Sequence, residues 1–354
     1  MYEKDTLSAL DAITEAQRIA FAPMLFQTAL CLRNSGVLAW LDKQGKEGAS
    51  LEEITEHSTL GSYGVSVLQD MGLSGRIVTQ QNGRYFLAKV GHFLLHDEMT
   101  RVNMDFTQDV CYQGLFHLAD ALQEEKPAGL AVFGNWPTIY PALSQLPAPA
   151  KESWFAFDHY YSDAAFDAAL PYIFASSPTK LYDVGGNTGK WSLRCCRYDE
   201  NVAVTILDLP QQIALAQENI AKAGFSHRIA FHAVDMLSPA TLPGDADVWW
   251  MSQFLDCFSP DQIVAMLARV AQAMKPGARL CIMELFWDAQ KFEAASFSLN
   301  ATSLYFTCMA NGNSRFYSVE KFYRYLESAG FSVEQRLDNL GVGHTLLICT
   351  KREQ

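Results

Sequence analysis

Asp183-Val-Gly-Gly-Asn-Thr-Gly189 sets an acid, three glycines and an asparagine directly after the apolar pair Leu181-Tyr182. A glycine turn between a strand and a helix lets backbone approach a nucleoside-type ligand closely. Asp208 ends the next apolar run, Val204-Thr-Ile-Leu-Asp208, and Asp235-Met236 follows a third. An acid at the end of the neighbouring strand is suited to accept from ribose hydroxyls. Spacing narrows the ligand further. A dinucleotide loop, G-x-G-x-x-G, counted from Gly185 would need glycine where Asn187 and Lys190 stand. The missing second glycine is the one that admits a pyrophosphate. A Walker loop needs Ser or Thr after Gly-Lys, but Trp191 follows Gly189-Lys190. Neither phosphate-binding pattern is met.

Those residues need strand ends to hold them. From Thr179 onward, strand and helix patterns alternate. Strands are expected at 180–184, 202–207, 229–233, 248–252, 279–285, 332–337 and 344–350. Helices are expected at 211–223, 260–274 and 319–329. Such alternation implies an α/β fold, a parallel sheet with helices on both faces. No helix fits between the last two strands, so they should pair antiparallel at one edge. Ser252 and Gln253, where the fourth strand ends, and Leu209, beside Asp208, complete the expected cofactor set.

The first hundred residues read as mostly helical. Phe21–Arg33 is apolar almost all round, so burial is expected, in the chain's own core or against a second subunit. Ser50 stands three residues before Glu53, a capping-box pattern. A short helix there leads into another at 62–71. Asn82-Gly83 between two apolar runs signals a hairpin. Helix, turn, helix, hairpin is a winged-helix arrangement. Its DNA-reading version is excluded by charge: 47–75 contains no Lys or Arg but holds Glu47, Glu52, Glu53, Glu56 and Asp70. The net charge of −12 over 354 residues likewise argues against nucleic acid. The expected domains are 1–100, a winged-helix dimerisation domain; 101–175, helices punctuated by prolines; and 176–354, the α/β domain.

Eight cysteines, none in a C-x-x-C pair, read as reduced thiols. No His/Cys cluster stands at metal-ligand spacing, so no metal is expected. No run is long enough for a membrane span, and the start lacks a basic region ahead of an apolar core. A cytoplasmic protein is expected.

The motif Asp183–Gly189 resembles the first motif of class I S-adenosylmethionine-dependent methyltransferases. On that resemblance Asp183, Gly185, Gly186, Gly189 and Asp208 belong to the cofactor site, and Asp235-Met236 is similar to the family's adenine contact. Three further segments are similar to those of winged-helix small-molecule O-methyltransferases: Leu207-Asp-Leu-Pro210, Met274-Lys-Pro-Gly277 and Ala329-Gly-Phe331. The resemblance implies a seven-stranded Rossmann-like domain. It also implies a homodimer and an aromatic or polyketide-like acceptor, free or carried on a protein thioester.

Departures from that pattern bear on the chemistry. Where the family carries a catalytic His, Phe254-Leu-Asp-Cys-Phe-Ser-Pro260 places Asp256. A family Glu matches Glu284, and a second falls on Ser314. An ordinary Asp near pKa ~3.9 is a poor base for a phenol near ~10. Transfer to a hydroxyl oxygen and transfer to a hydroxyl-activated ring carbon both stay open. A non-catalytic, cofactor-binding scaffold is the alternative. His159, in the aromatic stretch Trp154–Tyr161, is read as a lid or replacement base, or as part of a packed aromatic cluster. Tyr160, Tyr305, Met309 and Phe316 are expected to line the acceptor pocket or to pack in the core. His344 is expected to be structural.

Overall fold

The computed structural model describes residues 2 and 4–352, with residues 162 and 163 in backbone only. The chain forms two compact units, 1–108 and 109–354.

The first unit contains α1 (Ala9–Ala20), α2 (Ala22–Asn34), α3 (Val37–Gln44), α4 (Leu51–Glu56), α5 (Ser62–Ser74), the hairpin β1 (Val78–Gln81) and β2 (Arg84–Leu87), α6 (Lys89–His96) and α7 (Glu98–Phe106). The capping box forms: Glu53 N–H donates to Ser50 Oγ and Ser50 N–H donates to Glu53 Oε2. Asn82 and Gly83 turn the hairpin with φ of 50° and 75°, the handedness that matches strand twist. Leu32, Leu38, Leu41, Ile54 and Val65 are fully buried in this unit's core, each contributing roughly 1.5–3 kcal/mol by burial. Burial of α2 is only partial, contrary to its all-round apolar sequence. Thr28, Ala29, Leu30 and Leu32 are buried, but Phe21 and Met24 stand 50% and 64% exposed.

The second unit contains α8 (Leu118–Glu124), α9 (Ala148–Asp163), α10 (Phe166–Phe174), β3 (Lys180–Val184), α11 (Lys190–Tyr198), β4 (Ala203–Asp208), α12 (Pro210–Lys222), β5 (Ile229–Ala233), β6 (Val248–Ser252), α13 (Pro260–Ala273), β7 (Arg279–Glu284), α14 (Glu293–Tyr305), α15 (Val319–Ser328), β8 (Phe331–Leu340) and β9 (His344–Lys351). Seven strands pair in the order β5-β4-β3-β6-β7-β9-β8. Strands β3 to β7 run parallel; β9 is antiparallel to both of its neighbours. The antiparallel ending therefore forms as expected, with β9 inside the sheet and β8 at the edge.

Strand periodicity of two sorts the side chains between two cores. Tyr182, Val184, Trp249 and Met251 join the core containing Met266 and Phe322 from α13 and α15. Leu181, Ile206 and Trp250 join the one containing Leu170, Trp191 and Ile220 from α10, α11 and α12. Trp191 stacks on Trp250 with ring centroids 4.0 Å apart. The chain leaves β3 towards β4 and later returns to β6 on the other side of β3. Such a reversal marks the crevice position at the carboxyl ends of these strands where α/β sheets bind ligands. Among the described residues no helix is long and apolar enough to cross a membrane.

Candidate active site

The glycine loop leaves β3 at the crevice and is tied to β4. Gly185 N–H donates to Leu207 O at 2.9 Å, and Asn187 N–H to Asp208 Oδ2 at 2.8 Å. Gly185, Asn187 and Gly189 all have left-handed φ, at 71°, 47° and 80°. At Gly185 a side chain is doubly barred, because an added Cβ would lie 2.3 Å from the Phe254 ring. Gly186 packs over Asp183 and Ile206, and Gly189 caps α11.

Asp183 does not face the crevice. It lies under the loop, 2% exposed, accepting from Ser192 Oγ at 2.6 Å. Burial pushes its carboxyl up to about 7. It therefore anchors the loop to α11 and is no direct ligand contact in this arrangement. Asp208 is half-buried at the end of β4 and accepts from the Asn187 and Leu209 N–H groups. Burial raises its pKa and those two bonds oppose the rise. Leu209 itself is exposed. Past β5, Asp235 is exposed and accepts from Leu237 N–H, whereas Met236 is buried. The Met236 carbonyl is held by Arg269 at 2.6 Å.

At the end of β6, Ser252 Oγ and Gln253 Oε1 are buried without a hydrogen-bond partner among the described residues. Gln253 has a left-handed φ of 45° while its N–H donates to Met283 O. Unanswered buried polar atoms are costly, and two of them beside an open glycine loop mark a place shaped for a polar ligand.

One turn further on, Glu284 at the tip of β7 fixes the chain that carries Asp256. Glu284 Oε1 accepts from Phe254 N–H and Leu255 N–H at 3.1 and 2.9 Å. Its Oε2 is buried with no hydrogen-bond partner among the described residues. Asp256 and Glu284 line one narrow gap with Phe286, Tyr317 and Phe322. Burial pushes Asp256 up to about 7, opposed by the Cys257 thiol and aided by Asp158 on α9. Burial and the neighbouring Asp256 drive Glu284 well above the ordinary carboxylate range. Asp158, one residue before His159, was not recognised from sequence. Its aromatic surroundings suggest packing, and its charge acts on a residue far along the chain.

His159 is otherwise engaged. Lys190 Nζ lies 3.0 Å from His159 Nδ1. A lysine ammonium can only donate, so Nδ1 accepts and the neutral ring keeps its proton on Nε2. That contact ties α9 to the start of α11. Tyr160 is half-buried and packs edge-on against Tyr161. Trp154 Nε1 donates to Tyr305 Oη at 2.6 Å. Met309 is fully buried against the backbones of Gly114 and Gly129, and Phe316 packs edge-on against Phe306. Met309 and Phe316 are both buried packing positions in this structure. Ser314, where a second Glu would fall, bonds Asn311, whose Nδ2 donates to Cys257 O at 2.6 Å. His344 is fully buried, and burial lowers its pKa to about 4.

Comparison with known proteins now bears on this geometry. Residues 158–332 match the model of an O-methyltransferase domain, and residues 14–85 that of a Dimerisation2-like domain. The N,N-dimethyltransferase OxyT of Streptomyces rimosus is 29% identical over 236 residues, 66% of this chain and 66% of that protein. The 3-hydroxy-5-methyl-1-naphthoate 3-O-methyltransferase of Streptomyces sahachiroi is 34% identical over 128 residues, 35% of this chain and 37% of that one. The matched stretches thus span less than two thirds of either relative. In fold, the S-adenosylmethionine-dependent methyltransferase SibL in its apo form superposes with a TM-score of 0.73 at 21% identity, covering 95% of this chain and 98% of that one. With a Dimerisation2-like domain ahead of an O-methyltransferase domain, this chain belongs with the O-methyltransferases of that domain family.

Proposed function

We propose that this chain methylates a small aromatic or polyketide-like acceptor in the crevice at the ends of β3, β4 and β6. The observation that carries this reading is the junction of two features there. One is a glycine loop too tight for a side chain at Gly185; the other is the pair of unanswered polar atoms on Ser252 and Gln253. Gly185, Gly186, Asp208, Asp235, Met236 and Gln253 would hold the cofactor, with Asp208 accepting from its ribose hydroxyls. S-adenosylmethionine, when bound, supplies a sulfonium methyl already activated for attack by a nucleophile. The protein must then align the acceptor at ~3–3.5 Å and exclude water.

Asp256 is proposed as the residue that takes the acceptor's proton, in the place where the family's His stands. At about 7 its gap to a phenol near ~10 is about three units, against about six for an ordinary Asp. Glu284 positions it by holding the Phe254 and Leu255 amides. An oxygen acceptor would lose its hydroxyl proton to Asp256. A ring-carbon acceptor would give Asp256 a hydrogen bond from its hydroxyl and lose the ring proton after transfer. A nitrogen acceptor is a second reading, favoured by the N,N-dimethyltransferase relative. The exposed apolar residues of α1 and α2 support a homodimer built through the dimerisation domain. Eight free thiols favour the reducing cytoplasm.

Calorimetric titration with S-adenosylmethionine and S-adenosylhomocysteine should show saturable binding of both. Turnover on a panel of hydroxybenzoyl, aminoaryl and carrier-tethered acceptors, with the methylated atom identified by NMR, should then assign the acceptor. Failure of the wild-type chain to bind either cofactor form defeats the proposal.

A further inference from the structure

His92 and His96 stand one helical turn apart on α6, and Asp42 on α3 faces both. Residues at i and i+4 share a helix face. The two imidazole centroids are 4.7 Å apart. Asp42 Oδ2 lies 2.9 Å from His96 Nε2, and Asp42 Oδ1 lies 4.0 Å from His92 Nδ1. One ligand atom from each residue fits within a 4.8 Å spread, and all three side chains are exposed to solvent. The two carboxylate oxygens thus address one imidazole each.

We propose that Asp42, His92 and His96 form a binding site for a borderline divalent transition ion such as Zn²⁺, Ni²⁺ or Co²⁺. Two neutral imidazoles and one carboxylate suit such ions better than Mg²⁺ or Ca²⁺, which take oxygen donors. A hydrogen bond explains the short Asp42–His96 contact, but 4.0 Å is too long for one at His92. Metal–ligand bonds near ~2.0–2.1 Å would draw the three donors around one centre with small side-chain rotations. Three protein ligands leave a further position for water. The bound ion would brace α3 to α6 and stabilise the first unit by binding only its folded form. This role is separate from methyl transfer, whose proposed residues all belong to the second unit. The pair His92-x3-His96 does stand at a metal-ligand spacing in the sequence, contrary to the expectation of none, and the third ligand comes from another helix.

The test is calorimetric titration of the full chain with Ni²⁺ and with Zn²⁺, paired with melting curves. One ion per chain and a raised melting temperature are expected. Loss of an outer-shell partner typically weakens metal binding ~10–100-fold, so His96→Ala and His92→Ala should each cost at least that much. Both variants should melt like the wild type without metal. Cys31, an exposed thiol of the same unit, is the competing ligand. Cys31→Ser should bind as the wild type does, and the Co²⁺ complex should lack the thiolate charge-transfer band. No binding, binding unchanged in the two histidine variants, or binding lost in Cys31→Ser would each overturn the site.

Discussion

Burial changes what the Asp256 carboxyl can do to an acceptor. Raised to about 7, it is protonated in acid and becomes a usable base only as the solution passes neutrality. The rate of methyl transfer at low acceptor concentration should therefore climb through about pH 7. Asp256→Asn should remove that limb and lower kcat/KM by ~10²–10⁴, the usual worth of a general base, with cofactor affinity kept. A flat wild-type profile, or an asparagine variant as active as the wild type, would rule the role out. The same residue scale shows what sequence could and could not give. The strand-end positions of Asp208 and Glu284 were legible from the strand pattern, whereas Asp256, on the turn after β6, was found only through the family resemblance. Asp158 and the Lys190–His159 bond were not, since both depend on how α9 packs against residues distant in the chain.

At the scale of elements, the turn between β3 and α11 is tightly constrained. Gly185 is held by its φ of 71° and by the Phe254 ring that occupies the space a Cβ would need. Gly185→Ala should displace Phe254 and lower S-adenosylmethionine affinity by at least about tenfold, or ~1.4 kcal/mol. Circular dichroism should show the fold retained; unchanged affinity would mean the loop does not contact the cofactor. The strands were readable from their alternation with helices, and α4 from its cap at Ser50. Met309 and Phe316 were not assignable in this way. An apolar side chain reads alike whether it lines a pocket or wedges between Gly114 and Gly129, as Met309 does.

For the whole molecule, buried acids make stability depend on pH. Burial raises Asp183 to about 7 in the folded state, above an unfolded value near ~3.9. Its contribution is fully present below about pH 4 and is lost as pH rises through about 7. The melting temperature should therefore fall between pH 5 and pH 8. Asp183→Asn, which keeps an acceptor for Ser192, should flatten that fall; an equal slope in the variant would refute the assignment. The shift from helical to alternating patterns falls near residue 176, whereas the two compact units meet at 108–109, because helices such as α10 pack on the sheet. The partial exposure of α2 was not, because composition alone does not say which apolar faces a single chain covers. The position of β9 has its own consequence during synthesis. Strand β9, which follows both of its neighbours in the chain, lies between β7 and β8, pairing Arg279 with Thr350 and Phe331 with Lys351. Until the ribosome releases that segment, β7 presents an open edge able to capture strands of neighbouring chains. The nascent polypeptide is then vulnerable to aggregation between synthesis of β8 and of β9, and a stop codon ahead of His344 would make that vulnerability permanent.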